Sequence, residues 1–329
     1  MSETLSYSQA FQQGVREEME RDPSIFVLGT DLFERGGHFA QVHGLGQEFG
    51  EKRVRDAPIS EAAMVAAGVG AALNGGRPIV ELNFIDFAYG AMDEIANQAA
   101  KIRHMWGRPV PMVIRATSGV ATSGAQHNNS LEAWFAHMPG LAVALPSTPR
   151  DAKGMIKAAL RGNDPVVFMM HKRLTGAKGE VGGPDEIVPI GEATVRREGK
   201  DVTLVTYSHM VETALAAAEA LATDGIGVEV IDLRSVFPMD MECIERSVRR
   251  TGRAVVVHEA PRHGGVGAEV AAEIQERSFF YLDQPVIRVG GQHVPIPHSM
   301  GLVEALVPRQ SDIEHAVRLA MREGYEDVA

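Results

Sequence analysis

The run Val54 to Phe87, VRDAPISEAAMVAAGVGAALNGGRPIVELNFIDF, constrains the fold more than any other stretch of the chain. It places a short strand, an acid at a helix start, a helix nearly without side chains and a second strand in immediate succession. Ser60 stands where an N-cap is wanted, so Glu61 falls on the first helical turn. Ala62, Ala63, Ala66, Ala67, Gly68, Gly70, Ala71 and Ala72 leave little side chain on any face. Each glycine inside a helix costs ~1 kcal/mol relative to alanine, so something must approach this backbone closely. Gly75 and Gly76 stop the helix, Pro78 follows, and Ile79 to Leu82 reads as a buried strand. Two readings of Glu61 stand side by side: a solvated acid that complements the helix dipole, or a carboxyl held at a strand-to-helix turn where α/β folds place ligand crevices.

Strand and helix signals alternate on both sides of this run. Tyr7, Phe11, Val15 and Met19 recur every four residues, which predicts a helix over 8–21 that Asp22-Pro23 ends. Ile25 to Leu28 is the next strand, and the spacing of Met92, Ile95, Ala99, Ile102 and Trp106 predicts one long helix. Val110 to Arg115, Leu141 to Leu145 and Val166 to Met170 complete the strands of this half, with a helix begun at Pro149. Residues 172–190, KRLTGAKGEVGGPDEIVPI, hold four glycines and two prolines without periodicity, and the domain boundary is placed there. The chain then divides into 1–180 and 181–329. Strands at 202–206, 228–231, 254–257 and 286–289 alternate with helices in the second half. The expected fold class is α/β, two domains of parallel or mixed sheet with helices on both faces.

Composition excludes several functions. A formal net charge of −11 gives no reason to expect nucleic acid or an anionic membrane as a partner. Cys243 stands alone, which rules out an intramolecular disulfide and a cysteine-based zinc site. The start MSETLSYSQAF has no targeting pattern and no apolar run is long enough to span a bilayer, so a cytoplasmic protein is expected. GVGAAL and GVGAEV lack the third glycine of a dinucleotide fingerprint, and no P-loop, HExxH or GxSxG occurs. His127, in the polar loop ATSGVATSGAQHNNS, is the one histidine whose setting favours chemistry, although a loop histidine also serves as a hydrogen-bonded structural group. Phe87 reads equally as core and as a stacking face beside a strand's carboxyl end.

Together with MDEIANQAAKIRHMWG, AQHNNSLEAWFAHMPGLAVALPSTPRDAKG and VIDLRSVFPMD, the opening run resembles the beta subunits of the thiamine-diphosphate-dependent 2-oxo acid dehydrogenases. The resemblance runs from about Ser6 to Leu319. It implies a pyrimidine-binding, transketolase-like domain followed by a transketolase C-terminal-like domain, in an alpha2-beta2 heterotetramer that acts on a 2-oxo acid and passes the acyl unit on, for instance to a lipoyl acyltransferase. Glu61 matches the glutamate of the family's PISE, whose carboxyl hydrogen-bonds a ring nitrogen of the cofactor's aminopyrimidine and is expected to be buried. Phe87 matches the aromatic that stacks on that ring. Ile59 and Asn83 fall at neighbouring wall positions, and His127 matches the histidine of HSQS, which handles protons near the arriving acceptor. No GDG occurs, which implies that magnesium and the diphosphate are held mainly by the alpha subunit. ALRGNDP resembles a turn whose carbonyls can hold potassium, making Ala159, Gly162 and Asp164, with Met112 opposite, candidate ligands. The chain departs from the family at Thr30-Asp31, at HNNS for HSQS, and at Met170, where the family has an acid. These departures keep open a carboligating or transketolase-like two-component enzyme, and a non-catalytic scaffold subunit as a further alternative.

Overall fold

A computed structural model describes residues 3–121 and 123–322, which fall into two compact units. Of the described residues, the first comprises 3–119, 134–190 and 236–238; the second comprises 120–121, 123–133, 191–235 and 239–322.

The first unit is built on a seven-stranded sheet. Edge to edge it runs Ser235–Phe237, Ala142–Ala144, Val166–His171, Val113–Ser118, Arg77–Phe84, Ile25–Gly29 and Val54–Asp56. The six strands from Ala142–Ala144 onward pair in parallel. Residues of one parity, among them Ile25, Val27, Ile79, Val113, Phe168 and Met170, join the helices Tyr7–Arg21 and Pro149–Arg161 in one buried cluster. Because side chains alternate between faces, their neighbours Val80, Ile114 and Val167 point the other way, where Val80 meets the helix Glu61–Leu73. There the missing side chain of Gly68 is a packing requirement: a Cβ would stand 2.6 Å from Cγ2 of Val80. The first helix opens with a full capping box, Ser6 against Gln9.

The second unit carries a five-stranded sheet in the order Ile287–Gly291, Ala254–Pro261, Val202–Thr206, Val228–Asp232 and Thr194–Arg197, parallel except for the last strand. Helices Met210–Ala222 and Gln310–Ala320 cover one face through Leu204, Val230 and Val257. On the other face Thr203 hydrogen-bonds Ser247 and Thr251 of the helix Met241–Thr251. Both sheets therefore have the expected α/β form.

Several local expectations are corrected. The long helix expected over 92–106 changes pitch: after a 3-10 run Ile85–Ala91 that precedes it, the range holds a π-helical run Glu94–Ala99 and a short α-helix Ile102–Trp106. Ile95, Ala99 and Ile102 are still buried, so the stripe is kept by changes of pitch, while Trp106 is 60% exposed and off it. The strand expected at 110–115 is Val113–Ser118, and Ser60 makes no side-chain cap bond. Residues 172–190 are more structured than their composition suggests. Lys178–Val181 pairs antiparallel with Glu3–Ser6, and Val188 lies in the core.

Candidate functional site

In the first unit, the carboxyl end of Arg77–Phe84 delivers Asn83 and then the 3-10 turn that carries Phe87. The helix Glu61–Leu73 packs against that turn, so Glu61 and Phe87 belong to neighbouring elements. Ile59 is 79% exposed, and Glu61 and Phe87 are only half-buried. The expected burial of Glu61 is therefore not provided by this chain. Asn83 Oδ1 is buried and, among the described residues, without a hydrogen-bond partner. Phe84 stands edge-on to Phe87 at 5.7 Å and to Phe39 at 5.6 Å, with the Lys172 ammonium 5.3 Å from its ring centre. These residues fit an aromatic amine ring: an apolar wall, a carboxyl, an orphaned amide oxygen and an aromatic face, all around one strand end.

A buried ionic network lies behind this strand end. Glu81, 1% exposed, accepts from Arg115 at 3.1 Å and from Gln41 at 3.0 Å. Burial raises the Glu81 pKa, while Arg115 and Gln41 oppose the shift. Gln41 belongs to the loop after Ile25–Gly29, so the network ties that loop to the sheet. Arg115 also donates to the Met170 sulfur at 3.4 Å, so a thioether stands where the family has an acid. Neither Glu81 nor Arg115 was picked out by sequence reasoning; both sit in apolar strands, where a lone charge in a run such as PIVELNF was the only signal.

His127 lies in the second unit, at the end of the 3-10 turn Ala125–His127. Its loop is fixed from several sides. Asn128 accepts from the Ala121 N–H at 2.9 Å and donates to the Gly124 carbonyl at 2.8 Å. Glu259, at the carboxyl end of Ala254–Pro261, accepts from the Val120 N–H at 2.8 Å and the Ser130 hydroxyl at 3.2 Å. Tyr207, just beyond Val202–Thr206, donates to Glu132 at 2.8 Å. Burial first, then Glu132 and Glu259, hold the Tyr207 pKa well above the phenol value, so this hydroxyl serves as a donor. Val202–Thr206 and Ala254–Pro261 are adjacent strands whose following connections lead to opposite sides of the sheet. The crevice outside such a divergence is where α/β sheets place ligands, and here the His127 loop occupies it. Glu132, Tyr207 and Glu259 were missed from sequence because only topology brings them together.

Three of the four candidate potassium carbonyls, those of Gly162, Ala159 and Met112, accept hydrogen bonds within the chain. Gly162 O accepts from Arg77 at 2.6 Å, and Leu160 O from the same guanidinium at 2.9 Å. The Ala159 and Met112 carbonyls accept backbone N–H groups of Gly162 and Val166, while the side-chain carboxylate of Asp164, not its carbonyl, pairs with Arg103.

This architecture is that of the transketolase-type thiamine enzymes: residues 3–178 match the transketolase pyrimidine-binding domain and residues 191–313 the transketolase C-terminal domain. The chain is 44% identical to the 2-oxoisovalerate dehydrogenase subunit beta of Bacillus subtilis, over 95% of this chain and 98% of that one. It is 42% identical to the beta subunit of the acetoin:2,6-dichlorophenolindophenol oxidoreductase of Cupriavidus necator, covering 98% and 99%. It is 41% identical to the pyruvate dehydrogenase E1 component subunit beta of Rhizobium meliloti, covering 96% and 69%. A solved split-gene transketolase, described as an inactive beta4 tetramer, superposes with a TM-score of 0.81 at 28% identity, covering 96% of this chain and 98% of that one. The chain belongs to the family of beta subunits of thiamine-diphosphate-dependent 2-oxo acid dehydrogenases. No helix among the described residues is long and apolar enough to cross a membrane.

Proposed function

We propose that this chain is the beta subunit of a cytoplasmic alpha2-beta2 enzyme that decarboxylates a 2-oxo acid of the pyruvate class and passes the acyl unit to an acceptor such as a lipoyl group. In this reading residues 1–180 bind the pyrimidine of thiamine diphosphate and 181–329 form the transketolase C-terminal-like domain. The observation that carries it is the exposed rim around the strand end: Ile59, 79% exposed, beside the half-buried Glu61 on a helix start whose cap residue makes no side-chain bond.

Thiamine diphosphate, when bound, supplies a nucleophilic carbon and an electron sink for the electrons released with carbon dioxide. The chain's own residues prepare that chemistry. Glu61 shares a proton with the aminopyrimidine ring nitrogen, a weak base, and does so best once its carboxyl is desolvated. The partner supplies that burial, closing over Ile59 and the small-residue helix, where the added Cβ of Gly70 would meet nothing within 4 Å. Phe87 offers the ring a stacking face worth ~0.5–1.5 kcal/mol beyond burial. Asn83 Oδ1, orphaned and buried, takes an N–H donor. His127 moves protons at the substrate and acceptor oxygens, held in place by the Asn128 and Glu259 bonds. Magnesium and the diphosphate are assigned to the alpha subunit. Potassium at Met112, Ala159, Gly162 and Asp164 would compete with Arg77 for the Gly162 carbonyl.

Calorimetry tests this directly. The chain alone is expected to bind thiamine diphosphate with magnesium weakly or not at all. Mixed with the alpha-type subunit it is expected to gain binding and 2-oxo acid decarboxylation together, at a mass of two copies of each chain. The relatives named for 2-oxoisovalerate, pyruvate and acetoin enzymes are nearly equal in identity, so a panel of these substrates assigns the donor. Tight magnesium-dependent binding by the beta chain alone would overturn the division of labour.

A further inference from the structure

The second unit holds a cleft of 580 Å³ that none of the chemistry above uses. It opens at the carboxyl ends of the adjacent strands Ala254–Pro261 and Ile287–Gly291, and its volume lies within the roughly 300–1,000 Å³ typical of small-molecule sites. Arg262, His263, Arg288 and His293 converge on it, and among the described residues no acidic side chain lines it. In a chain of formal net charge −11, such a concentration of basic groups runs against the composition.

The two arginines are held together rather than scattered. Arg262 Nε donates to the Arg288 carbonyl at 3.2 Å, and Arg288 Nη1 donates to the Arg262 carbonyl at 3.4 Å. Among the described residues these guanidinium groups bond only to backbone carbonyls, so most of their N–H donors remain available. The strands close up to make this pairing: a Cβ on Gly290 would stand 2.9 Å from Cα of Arg262. His263 and His293 meet edge to face at 5.3 Å on the same rim. The helix Val266–Ser278 begins at the cleft, and its N-cap, Gly265, provides no side-chain oxygen for the first-turn N–H groups. Both arginine charges also reach His258, packed against Gly265 and Gly290, and add to burial in lowering its pKa to about 4.

We infer that this cleft binds a small phosphate-bearing anion, with Arg262 and Arg288 as its principal donors. A phosphate oxygen pair matches the fork of a guanidinium, and a dianion removes the repulsion between two cations that the fold holds side by side. Two sources share this chemistry, inorganic phosphate and a phosphate monoester.

The experiment uses the full chain assembled with its alpha-type partner and saturated with thiamine diphosphate and magnesium, so that the cofactor's own diphosphate site is filled. Inorganic phosphate and glycerol phosphate are titrated by calorimetry at constant ionic strength set with chloride. Saturable binding is expected at one site per beta chain, weakened about tenfold or more by Arg262→Ala and by Arg288→Ala, each removing charge-assisted bonds. Arg277→Ala, on the far end of the same helix and paired with Glu273, is expected to leave it unchanged. Tighter binding of glycerol phosphate assigns the site to a phosphate ester, and equal binding to inorganic phosphate. Heats no larger than the chloride control, or binding that survives both cleft variants while their melting midpoints match wild type, overturn the assignment.

Discussion

Replacing Glu259 by alanine removes one carboxylate that holds both ends of the His127 loop, the Val120 N–H at 2.8 Å and the Ser130 hydroxyl at 3.2 Å. Hydrogen bonds to a charged group contribute about 1.5–3 kcal/mol each, and a buried donor left unmade costs about 1–3 kcal/mol. Val120 is 2% exposed, so its N–H bears that second cost, whereas the half-buried Ser130 side chain can turn to water. The expected loss is about 3 kcal/mol, most of it on the Val120 side. At roughly 1.4 kcal/mol per factor of ten, local opening of the loop becomes about a hundredfold more frequent. Hydrogen–deuterium exchange of a peptide spanning 119–131 in the full chain reads this opening, while the strand Val202–Thr206 should keep its protection. Glu259→Gln retains an acceptor oxygen and is expected to fall between, because neutral acceptors bond about half as strongly. In the assembled enzyme, turnover should fall with loop order, and Glu259→Ala should add little to His127→Ala, since both act through one group. Wild-type exchange in the alanine variant would refute the carboxylate as the tie.

Glu81→Ala strands the Arg115 guanidinium, 3% exposed, without its carboxylate, and is expected to cost about 3–5 kcal/mol in denaturant unfolding; a loss under ~1 kcal/mol would contradict a buried pair. Gly119→Ala should prevent soluble folding, because its φ is +86° and a Cβ would stand 2.0 Å from Nε2 of His171. His258, held at a pKa of about 4 chiefly by burial, is neutral in the folded chain across a range where the unfolded chain is protonated. Its stabilisation is complete above pH 6.5 and falls by about 3 kcal/mol as pH drops to 4; His258→Gln should flatten that part of a stability–pH curve. Glu61→Gln should keep the melting midpoint and slow proton–deuterium exchange at the cofactor's reactive carbon by orders of magnitude in the assembled enzyme. Exchange at the wild-type rate would remove Glu61 from its role.

What the sequence revealed and what it hid follow a physical division. The strand, turn and small-residue helix around Glu61 were legible because their determinants are local: Gly75-Gly76 ends the helix and Ile79 to Leu82 fills a buried strand. The region after Phe87 misled, because a three- and four-residue apolar spacing reports which side chains are buried and says little about backbone pitch. The antiparallel pair Glu3–Ser6 and Lys178–Val181 was invisible, since neither segment carries an apolar pattern and their bonding spans most of the first half of the chain. The same holds for the supports of the site. Glu81 with Gln41 and Arg115, and Glu259 with Val120 and Ser130, are paired across 40, 34, 139 and 129 positions respectively.

The departure HNNS takes on a different meaning once these ties are visible. Against the family's HSQS it keeps the histidine and the final serine, and Ser130 is the hydroxyl that donates to Glu259. The change at 128 replaces a hydroxyl by an amide, which has both an acceptor oxygen and donor hydrogens on a longer arm. Asn128 uses both ends, accepting from Ala121 N–H and donating to Gly124 O, so it spans the turn that leads into His127. Asn128 therefore braces the loop from within, and the substitution leaves the imidazole of His127 in the chain, so it does not count against the role proposed for that residue.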